Sequence, residues 1–234
     1  MGALVSYELA EAGDPVATVT MDDGKVNALS PALQAELHAA LDRAQADGAV
    51  VVVAGRDGVF SAGFDLDTLN AGGPEAIAMV EGGFELAARL LAFPAPVVMA
   101  CTGHAVAMGV FLLLSGDYRV GASGPYRLQA NEVAIGLTLP HAAVEVLRQR
   151  LTPAAFGRAA ILAEAFGPEE GAAAGFLDRV VPPGRVLAEA RAQAEMFTLL
   201  DRNAHVGTKL RARRPALDAL RRAIEADKAE FAGA

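Results

Sequence analysis

Hydrophobic and polar positions in the first 46 residues change from the spacing of strands to the spacing of a helix. Residues 4–9 and 16–21 read as two strands, joined by a polar turn at 13–15. Ser30 and Pro31 then supply an N-cap and a first-turn proline. Apolar residues follow at helical spacing: Leu33, Leu37, Ala40, Leu41 and Ala44. The pattern predicts a strand–strand–helix unit.

The same order of elements recurs twice along the chain, without sequence identity between the copies. A continuous apolar strand at 50–55 and a second strand at 59–63 precede a helix at 74–91. Strand and turn occupy 97–107, before an apolar helix that begins near Met108 and a strand at 117–121. Three similar units predict a layered, solenoid-like α/β core rather than an open doubly wound sheet.

The character of the chain changes after residue 140. Alanine-rich helices are predicted at 142–150, 153–163 and 168–174, followed by a strand at 177–181. A Pro-Pro-Gly sequence at 182–184 marks the clearest boundary. Amphipathic helices follow at 186–200 and 204–231. We therefore predict a core domain of residues 1–181 and a C-terminal helical oligomerisation region of residues 182–234.

Composition and charge exclude several classes of partner. The 234 residues are 53% hydrophobic, which is ample for a sizeable core, and the net charge is -8. An acidic chain argues against nucleic acid and anionic membranes, since both require clustered cations. No targeting segment and no run of about 20 apolar residues is evident, so we expect a cytoplasmic protein that binds a small molecule.

Cysteine content limits the chemistry further. Cys101 is the only cysteine and lies in an apolar strand, so no intrachain disulfide and no thiolate metal cluster can form. We expect it to be a packed core residue. We also find no cluster of metal ligands in the sequence, and we expect no metal site.

Two segments rich in small residues could deliver backbone N–H groups to one place. The stretch 100–120 reads as a strand, a turn containing Gly103 and an apolar helix, which presents free N–H groups and a helix dipole. The segment 60–66 ends another strand in small residues. Two convergent N–H donors make an oxyanion hole. Ordinary packing and a simple β-turn explain each segment equally well when it is taken alone.

Together, four ordered motifs resemble those of the crotonase superfamily, also called the enoyl-CoA hydratase/isomerase family. They are FSAGFDL at 60–66, TGHAVAMG at 102–109 running into SGDYR at 115–119, NEVAIGLTLP at 131–140, and GFLDRVVP at 175–182. The resemblance covers essentially the whole chain. It implies a crotonase-like α/β spiral of ββα units with a C-terminal trimerisation region. It also implies a homotrimer or dimer of trimers, an acyl-CoA substrate, and no cofactor beyond that CoA.

The resemblance also implies roles for particular residues. The N–H groups of Phe64 and Met108 would hold the thioester oxygen. Other residues would contact the substrate or its CoA: Lys25, Ala28, Ala62, Leu66 and Phe111. Many members carry a lysine directly after the first motif, whereas Asp67 stands there in this chain, so the resemblance does not carry that lysine's phosphate contact over to this chain. We expect the segment 67–83 to form a mobile wall of the acyl pocket.

The carboxylates distinguish between the reactions of the family. The resemblance implies that hydratases use two glutamates, and Phe111 occupies the first of these positions, whereas Glu132 occupies the second. A lone carboxylate in an apolar pocket can shuttle a proton because desolvation raises its pKa. The pattern is closest to that of Δ3,Δ2-enoyl-CoA isomerases. We therefore predict that Glu132 moves a double bond and that Phe111 displaces the water which hydration needs.

Several alternatives remain open at the level of sequence. The chain could be a hydratase that relies on Glu132 alone, or it could use a carboxylate from another loop, such as Asp67 or Glu75. It could also be a non-catalytic acyl-CoA carrier or sensor, and Glu132 could be a solvated surface residue. His104 and His141 are expected to pack or cap. Asp65 and Asp117 are expected to bond backbone N–H groups.

Overall fold

The computed structural model describes residues 2–10 and 15–233, so Gly13 and Asp14 of the predicted turn lie outside the described residues. The strands are β1 (Val5–Leu9), β2 (Val16–Met21), β3 (Val50–Ala54), β4 (Gly58–Ser61), β5 (Val97–Cys101), β6 (Gly103–Val106), β7 (Tyr118–Ala122), β8 (Leu128–Gln129) and β9 (Arg179–Val181). The helices are α1 (Pro31–Ala46), α2 (Leu66–Ala71), α3 (Gly73–Ala92), α4 (Met108–Leu114), α5 (His141–Arg148), α6 (Pro153–Leu162), α7 (Pro168–Ala174), α8 (Val186–Thr198) and α9 (Arg202–Gly233), and short 3-10 helices lie at Val133–Ile135 and Pro183–Arg185.

The strands divide between two sheets in a regular alternation. A six-stranded sheet has the order β1-β2-β3-β5-β7-β9, and a three-stranded sheet has the order β4-β6-β8. Only the β1–β2 pair is antiparallel among these pairings. Each of β3, β5 and β7 joins the large sheet, and the strand that follows it joins the small one. The chain therefore winds as a spiral of ββα turns, as the sequence predicted.

The structure differs from the sequence prediction at two points in this region, and it gives a third segment a helical form. A further turn of the spiral, β7–β8, was missed because β8 has only two residues and leaves no periodic pattern. Gly103 begins strand β6 instead of lying in a turn, and the turn falls at Ala107. The expected pocket wall at 67–83 is helical, because Asp65 caps α2 by accepting the Thr68 N–H and α3 begins at Gly73.

The core lies on both faces of the large sheet. Helix α8 packs on one face against β2, β3, β5 and β7, and α1 packs against β2 and β3. Both β3 and β5 are buried along their whole length, which explains their continuous apolar sequences. Cys101 is 1% exposed at the end of β5, as expected, and burial raises the pKa of its thiol to about 12. No helix in the described part of the chain combines the length and apolarity needed to cross a membrane.

Helix α9 packs along α3 and α5 of its own chain. The Asp227 carboxylate accepts the backbone N–H groups of His141 (2.7 Å) and Ala142 (2.9 Å) at the N-terminal end of α5. A carboxylate is favourable there because it satisfies free N–H groups and the helix dipole. These contacts attach the C-terminal helix to the core, whereas its role in oligomerisation stays a prediction.

A buried charged cluster fastens the start of α9 to the large sheet. The Asp117 carboxylate accepts the Val97 N–H at 2.7 Å, and it pairs with Lys209 at 2.7 Å and Arg213 at 2.8 Å. Asp117 thus bonds a backbone N–H, as predicted, and carries two further contacts. Burial lowers the pKa of Lys209 to about 8 in spite of its pairing with Asp117. Both cations therefore depend on this single carboxylate.

Replacement of this carboxylate tests the importance of the cluster. We expect Asp117→Asn to lower the free energy of unfolding by about 3 kcal/mol, because it leaves two largely buried cations without a counter-charge. The measurement is a pair of urea denaturation curves at pH 7. Asp218→Asn is the matched control, since Asp218 pairs with Arg221 at 3.5 Å on an exposed face. Equal unfolding midpoints for the two variants would contradict the expectation.

Candidate active site

The three parallel strands of the small sheet end at one common edge. Ser61 of β4 is paired with Ala105 of β6, and Val106 of β6 with Gln129 of β8. The residues that follow these strands therefore emerge side by side. They include the three predicted catalytic residues, which are Phe64, Met108 and Glu132. Sites in parallel sheets lie at the carboxyl ends of strands, and this edge is such a place.

The turn after β4 and the start of α4 are in close contact. A Cβ placed on Gly63, whose φ is +100°, would lie 2.8 Å from the Ala107 Cβ and 3.3 Å from the Met108 nitrogen. A Cβ on Gly109 would lie 2.2 Å from the Ser61 carbonyl oxygen. Glycine is thus required at both positions. Because glycine has no side chain, the segments that carry the Phe64 and Met108 N–H groups can approach each other.

The turn between β6 and α4 has an unusual backbone. Ala107 has φ 49° and ψ -129°, a region that residues with a side chain rarely adopt. Its own N–H donates to the Gln129 carbonyl at 2.9 Å, which ties the turn to β8. Helix α4 begins at Met108, so the Met108 N–H has no acceptor within the helix. Such strain concentrates at functional sites.

An apolar wall of aromatic rings lies behind these two turns. The Cα of Gly83 in α3 lies against the Phe64 ring and the Met108 side chain. The Phe84 ring meets Phe64 edge-on at 6.3 Å and stacks on Phe111 at 5.9 Å. Phe111 is 1% exposed and belongs to the core. The structure therefore makes Phe111 a buried part of this wall, and its direct contact with substrate stays a prediction.

Glu132 follows β8 and begins the 3-10 helix. Its carbonyl oxygen accepts the N–H groups of Ile135 (3.1 Å) and Leu137 (2.9 Å), which fixes the backbone. The residue is 9% exposed, although residues 133–138 after it are exposed. The Glu132 Oε2 atom has no hydrogen-bond partner within the described part of the chain. A solvated surface glutamate, the alternative reading, does not fit this burial.

Burial dominates the acid–base behaviour of this carboxyl group. It raises the pKa of Glu132 to about 7, and a hydrogen bond from the residue's own backbone N–H opposes the shift only in part. No ion pair of this carboxylate is present among the described residues. A carboxyl group of this pKa can accept and return a proton near neutral pH. Perturbed pKa values of this kind are typical of functional sites.

Three of the predicted CoA-contacting residues, Lys25, Ala28 and Ala62, belong to a surface rim formed by residues 22–28 and 62–63, beside Phe64. The Ala62 N–H donates to the Val26 carbonyl at 3.0 Å, which joins the segment after β4 to the loop of residues 22–28. Ala28 is anchored in that loop by the Asp23 carboxylate at 2.9 Å. Lys25, Ala62 and Leu66 are exposed, and Leu66 is 63% exposed. The structure thus joins Ala62 to the loop that carries Lys25 and Ala28, and the contacts of all four residues with CoA stay predictions.

Both predicted structural histidines have structural contacts. The His104 ring accepts the Arg127 N–H at 3.0 Å and packs edge-on against Tyr126. The His141 ring lies 3.4 Å from Glu230 of α9 and is well exposed. His141 is thus joined to the C-terminal helix by its backbone and by its ring.

Sequence reasoning missed the residue that fastens the 22–28 loop to the site. Asn27 is fully buried with φ 53°, and its side-chain amide donates to the carbonyls of Met21 (3.0 Å) and Phe60 (3.1 Å). Ser61 Oγ in turn donates to the Asn27 carbonyl at 2.7 Å. The available signal was an Asn after an Asp-Asp-Gly-Lys turn, since asparagine tolerates left-handed conformations.

Comparison with known proteins gives consistent matches. The family model described as enoyl-CoA hydratase/isomerase matches residues 11–233. The crystal structure of enoyl-CoA hydratase EchA3 from Mycobacterium ulcerans is 51% identical, has a TM-score of 0.93, and covers 97% of this chain and 99% of that chain. A structure described as an enoyl-CoA isomerase of Mycobacterium tuberculosis is 50% identical, has a TM-score of 0.93, and covers 99% of this chain and 100% of that one. Human mitochondrial enoyl-CoA delta isomerase 1 is 30% identical over 226 residues, which are 94% of this chain and 75% of that protein.

These relatives carry names of two different reactions on one fold. Their similarity to this chain in overall fold extends over nearly its full length. The chain therefore belongs to the enoyl-CoA hydratase/isomerase family, the crotonase superfamily.

Proposed function

We propose that this protein binds acyl-CoA thioesters and shifts the double bond of a 3-enoyl-CoA to give the 2-enoyl-CoA. The observation that carries the proposal is the Glu132 carboxyl group, which is buried, without a hydrogen-bond partner for Oε2 among the described residues, and raised in pKa to about 7. Phe111, where a hydratase of the family would have its other glutamate, is sealed in the core. One carboxylate suffices for a proton shuttle.

The proposed reaction uses only residues of this chain, and its atoms and electrons balance. The thioester oxygen lies between the N–H groups of Phe64 and Met108. The Glu132 carboxylate removes a proton from C2, the C–H electron pair forms a C1–C2 double bond, and the carbonyl π pair moves onto the thioester oxygen, which gives a dienolate conjugated with the C3–C4 double bond. The protonated Glu132 then returns the proton at C4, and the double bond forms between C2 and C3. No atom is gained or lost, and no cofactor beyond CoA takes part.

Hydration is the second candidate reaction, because a relative with 51% identity is described as an enoyl-CoA hydratase. It requires a water held beside the double bond, usually by two carboxylates as the family resemblance implies. The wall behind the two turns is instead built from the Phe64, Phe84 and Phe111 rings. This apolar surface offers no second proton acceptor, and it favours migration over addition of water.

We also propose that the protein acts in the cytoplasm as a homotrimer or a dimer of trimers. Exposed aliphatic side chains support association. Three of them lie close together in sequence: Met196 in α8 (60% exposed), and Leu199 (73%) and Leu200 (48%) between α8 and α9. Large exposed apolar groups that lie close together mark interfaces. Analytical ultracentrifugation at micromolar concentration distinguishes these assemblies from a monomer.

A paired assay on a 3-enoyl-CoA and a 2-enoyl-CoA tests the proposed reaction. We expect migration of the double bond without appreciable addition of water, because Phe111 stands where the family resemblance places the other glutamate of a hydratase. Hydration at a comparable rate would overturn the isomerase proposal. Binding of acyl-CoA without either reaction would favour a non-catalytic carrier.

The role of Glu132 is tested by its neutral isostere. Glu132→Gln should lower kcat for migration by about 10³-fold and leave the affinity for acyl-CoA within about threefold, because general acid–base catalysis contributes on this scale. Glu75→Gln is the matched control, since Glu75 is an exposed carboxylate at the start of α3. Equal losses in the two variants would show that Glu132 is not the proton shuttle.

The raised pKa of Glu132 predicts a dependence on pH that does not require substrate. The folded protein holds this proton up to a pKa of about 7, whereas an unfolded chain releases it near 4.5. The stability due to this proton is therefore present below pH 4.5 and is lost as pH rises toward 7 and above. Glu132→Gln should be more stable than wild type by roughly 2 to 3 kcal/mol at pH 8, and nearly equal in stability at pH 4.5. Urea denaturation at both pH values measures the difference, and equal stability at pH 8 would show that the carboxyl is not desolvated.

A further inference from the structure

Two cationic residues meet at the outer end of the rim beside the two turns. Arg56 follows β3, and its Nη1 donates to the carbonyl oxygen of Lys25 at 2.8 Å. Its Nε lies 3.4 Å from the Asp22 carboxylate. Lys25 itself is exposed. The guanidinium group of Arg56 is thus bound to the backbone of the loop that also carries the Lys25 ammonium group.

The 22–28 loop is held in one conformation by its own hydrogen bonds. The Asp23 carboxylate accepts the N–H groups of Lys25 (2.7 Å), Asn27 (2.8 Å) and Ala28 (2.9 Å). Burial opposes the ionisation of Asp23, but these bonds outweigh it and lower its pKa. The charge of Asp23 is therefore largely satisfied inside the loop. The backbone of Lys25 is fixed before any ligand arrives.

Arg56 is fixed from its own side as well. Its carbonyl oxygen accepts the Thr102 hydroxyl at 2.7 Å and the Val59 N–H at 3.2 Å. These bonds hold the short turn between β3 and β4. A cation held on a rigid backbone loses little conformational entropy when it binds a ligand.

The loop continues directly into the proposed oxyanion site. Leu29, just after the loop, donates its N–H to the Gly63 carbonyl at 2.8 Å, and Ala62 donates to Val26. Gly63 precedes Phe64, whose N–H is a proposed oxyanion donor. A thioester ligand bound at Phe64 would therefore have this rim beside it, including Lys25 and the Arg56 side chain that is bound to the Lys25 backbone.

The guanidinium group of Arg56 retains unused hydrogen-bond donors. Arginine has five N–H donors in a planar fork, and the contacts recorded for Arg56 use one of them on Lys25 and direct Nε toward Asp22. Its side chain is 35% exposed. The remaining donors have no recorded partner in the described ranges 2–10 and 15–233. A planar fork of this kind matches the oxygens of a phosphate group.

The sequence creates a need for such a cation. Asp67, in the exposed first turn of α2, replaces the lysine that the family resemblance leads one to expect after the 60–66 motif. A carboxylate cannot bind a phosphate. The overall charge of -8 adds an unfavourable field for an anionic ligand, so a local cation is required to offset it.

We propose that Arg56, together with Lys25, binds a phosphate group at the nucleotide end of CoA and takes over the role of the missing lysine. The inference rests on the proposed binding of acyl-CoA. Asp22 competes for the same guanidinium group, since its carboxylate lies beside Arg56 Nε. Removal of that competitor therefore changes affinity in the opposite direction to removal of Arg56.

Calorimetric titration of three non-reacting probes tests this assignment. The probes are butyryl-CoA, its 3′-dephospho analogue, and butyryl-pantetheine, which lacks every phosphate. Arg56→Gln should weaken the affinity for butyryl-CoA about tenfold and change the affinity for butyryl-pantetheine less than twofold. Arg56→Lys should restore part of the loss. Asp22→Asn should strengthen the affinity for butyryl-CoA about twofold to fivefold. Arg221 is an exposed arginine on α9, and Arg221→Gln should leave the affinity unchanged.

The probes also distinguish the 3′-phosphate of CoA from its pyrophosphate. They further distinguish failure of the Arg56 assignment from failure of acyl-CoA binding. An effect that disappears with the dephospho analogue assigns Arg56 to the 3′-phosphate, and an effect that persists assigns it to the pyrophosphate. Equal weakening of butyryl-CoA and butyryl-pantetheine would overturn the proposal and show that Arg56 only shapes the loop. So would unchanged binding in Arg56→Gln, although acyl-CoA binding itself would then stand. If wild type binds no probe, both this assignment and the proposed acyl-CoA function fail.

Discussion

The close approach of two turns is the constraint on which the rest of the site depends. Gly63 and Gly109 leave no room for a side chain between the end of β4 and the start of α4. Their contact places the Phe64 and Met108 N–H groups on neighbouring segments, and the β6–β8 pairing brings Glu132 to the same edge. Each strand of the small sheet thus contributes one functional group. The spiral of ββα turns supplies three strands that end together.

This arrangement carries local costs in stability. Ala107 has a strained backbone, and Glu132 keeps an ionisable group in an apolar environment without a recorded partner for Oε2. Such costs are expected where chemistry requires them, because strain and desolvation prepare a site for reaction. The surrounding core offsets them. The fully buried strands β3 and β5, and the wall of aromatic rings behind the turns, hold the backbone in place.

Charge has two separate tasks in this molecule. Inside, Asp117 neutralises Lys209 and Arg213 and attaches α9 to the sheet, and Asp227 attaches the same helix to α5. At the surface, the chain is acidic overall but presents Lys25 and Arg56 together on the rim of the site. The interior network contributes to the fold, while the rim is available to an anionic ligand. Some relatives are named hydratases and others isomerases. In this chain, the residues at the edge where β4, β6 and β8 end are the ones that bear on the choice between these two reactions.

Local patterns in the sequence were enough to predict the elements with strong signals and the identity of the family. The strands β2 and β3, the Ser30-Pro31 start of α1 and the ordered motifs were all readable, because periodicity, capping and motif spacing are local properties. The remaining features required the folded structure. It placed β6 at Gly103 and revealed β8, since short strands are defined by their partners rather than by their own residues. It also decided the burial of Glu132, the position of Phe111 in the core and the pairing of Arg56 with the Lys25 backbone, because exposure, pKa and contacts between distant residues arise only when the chain is folded.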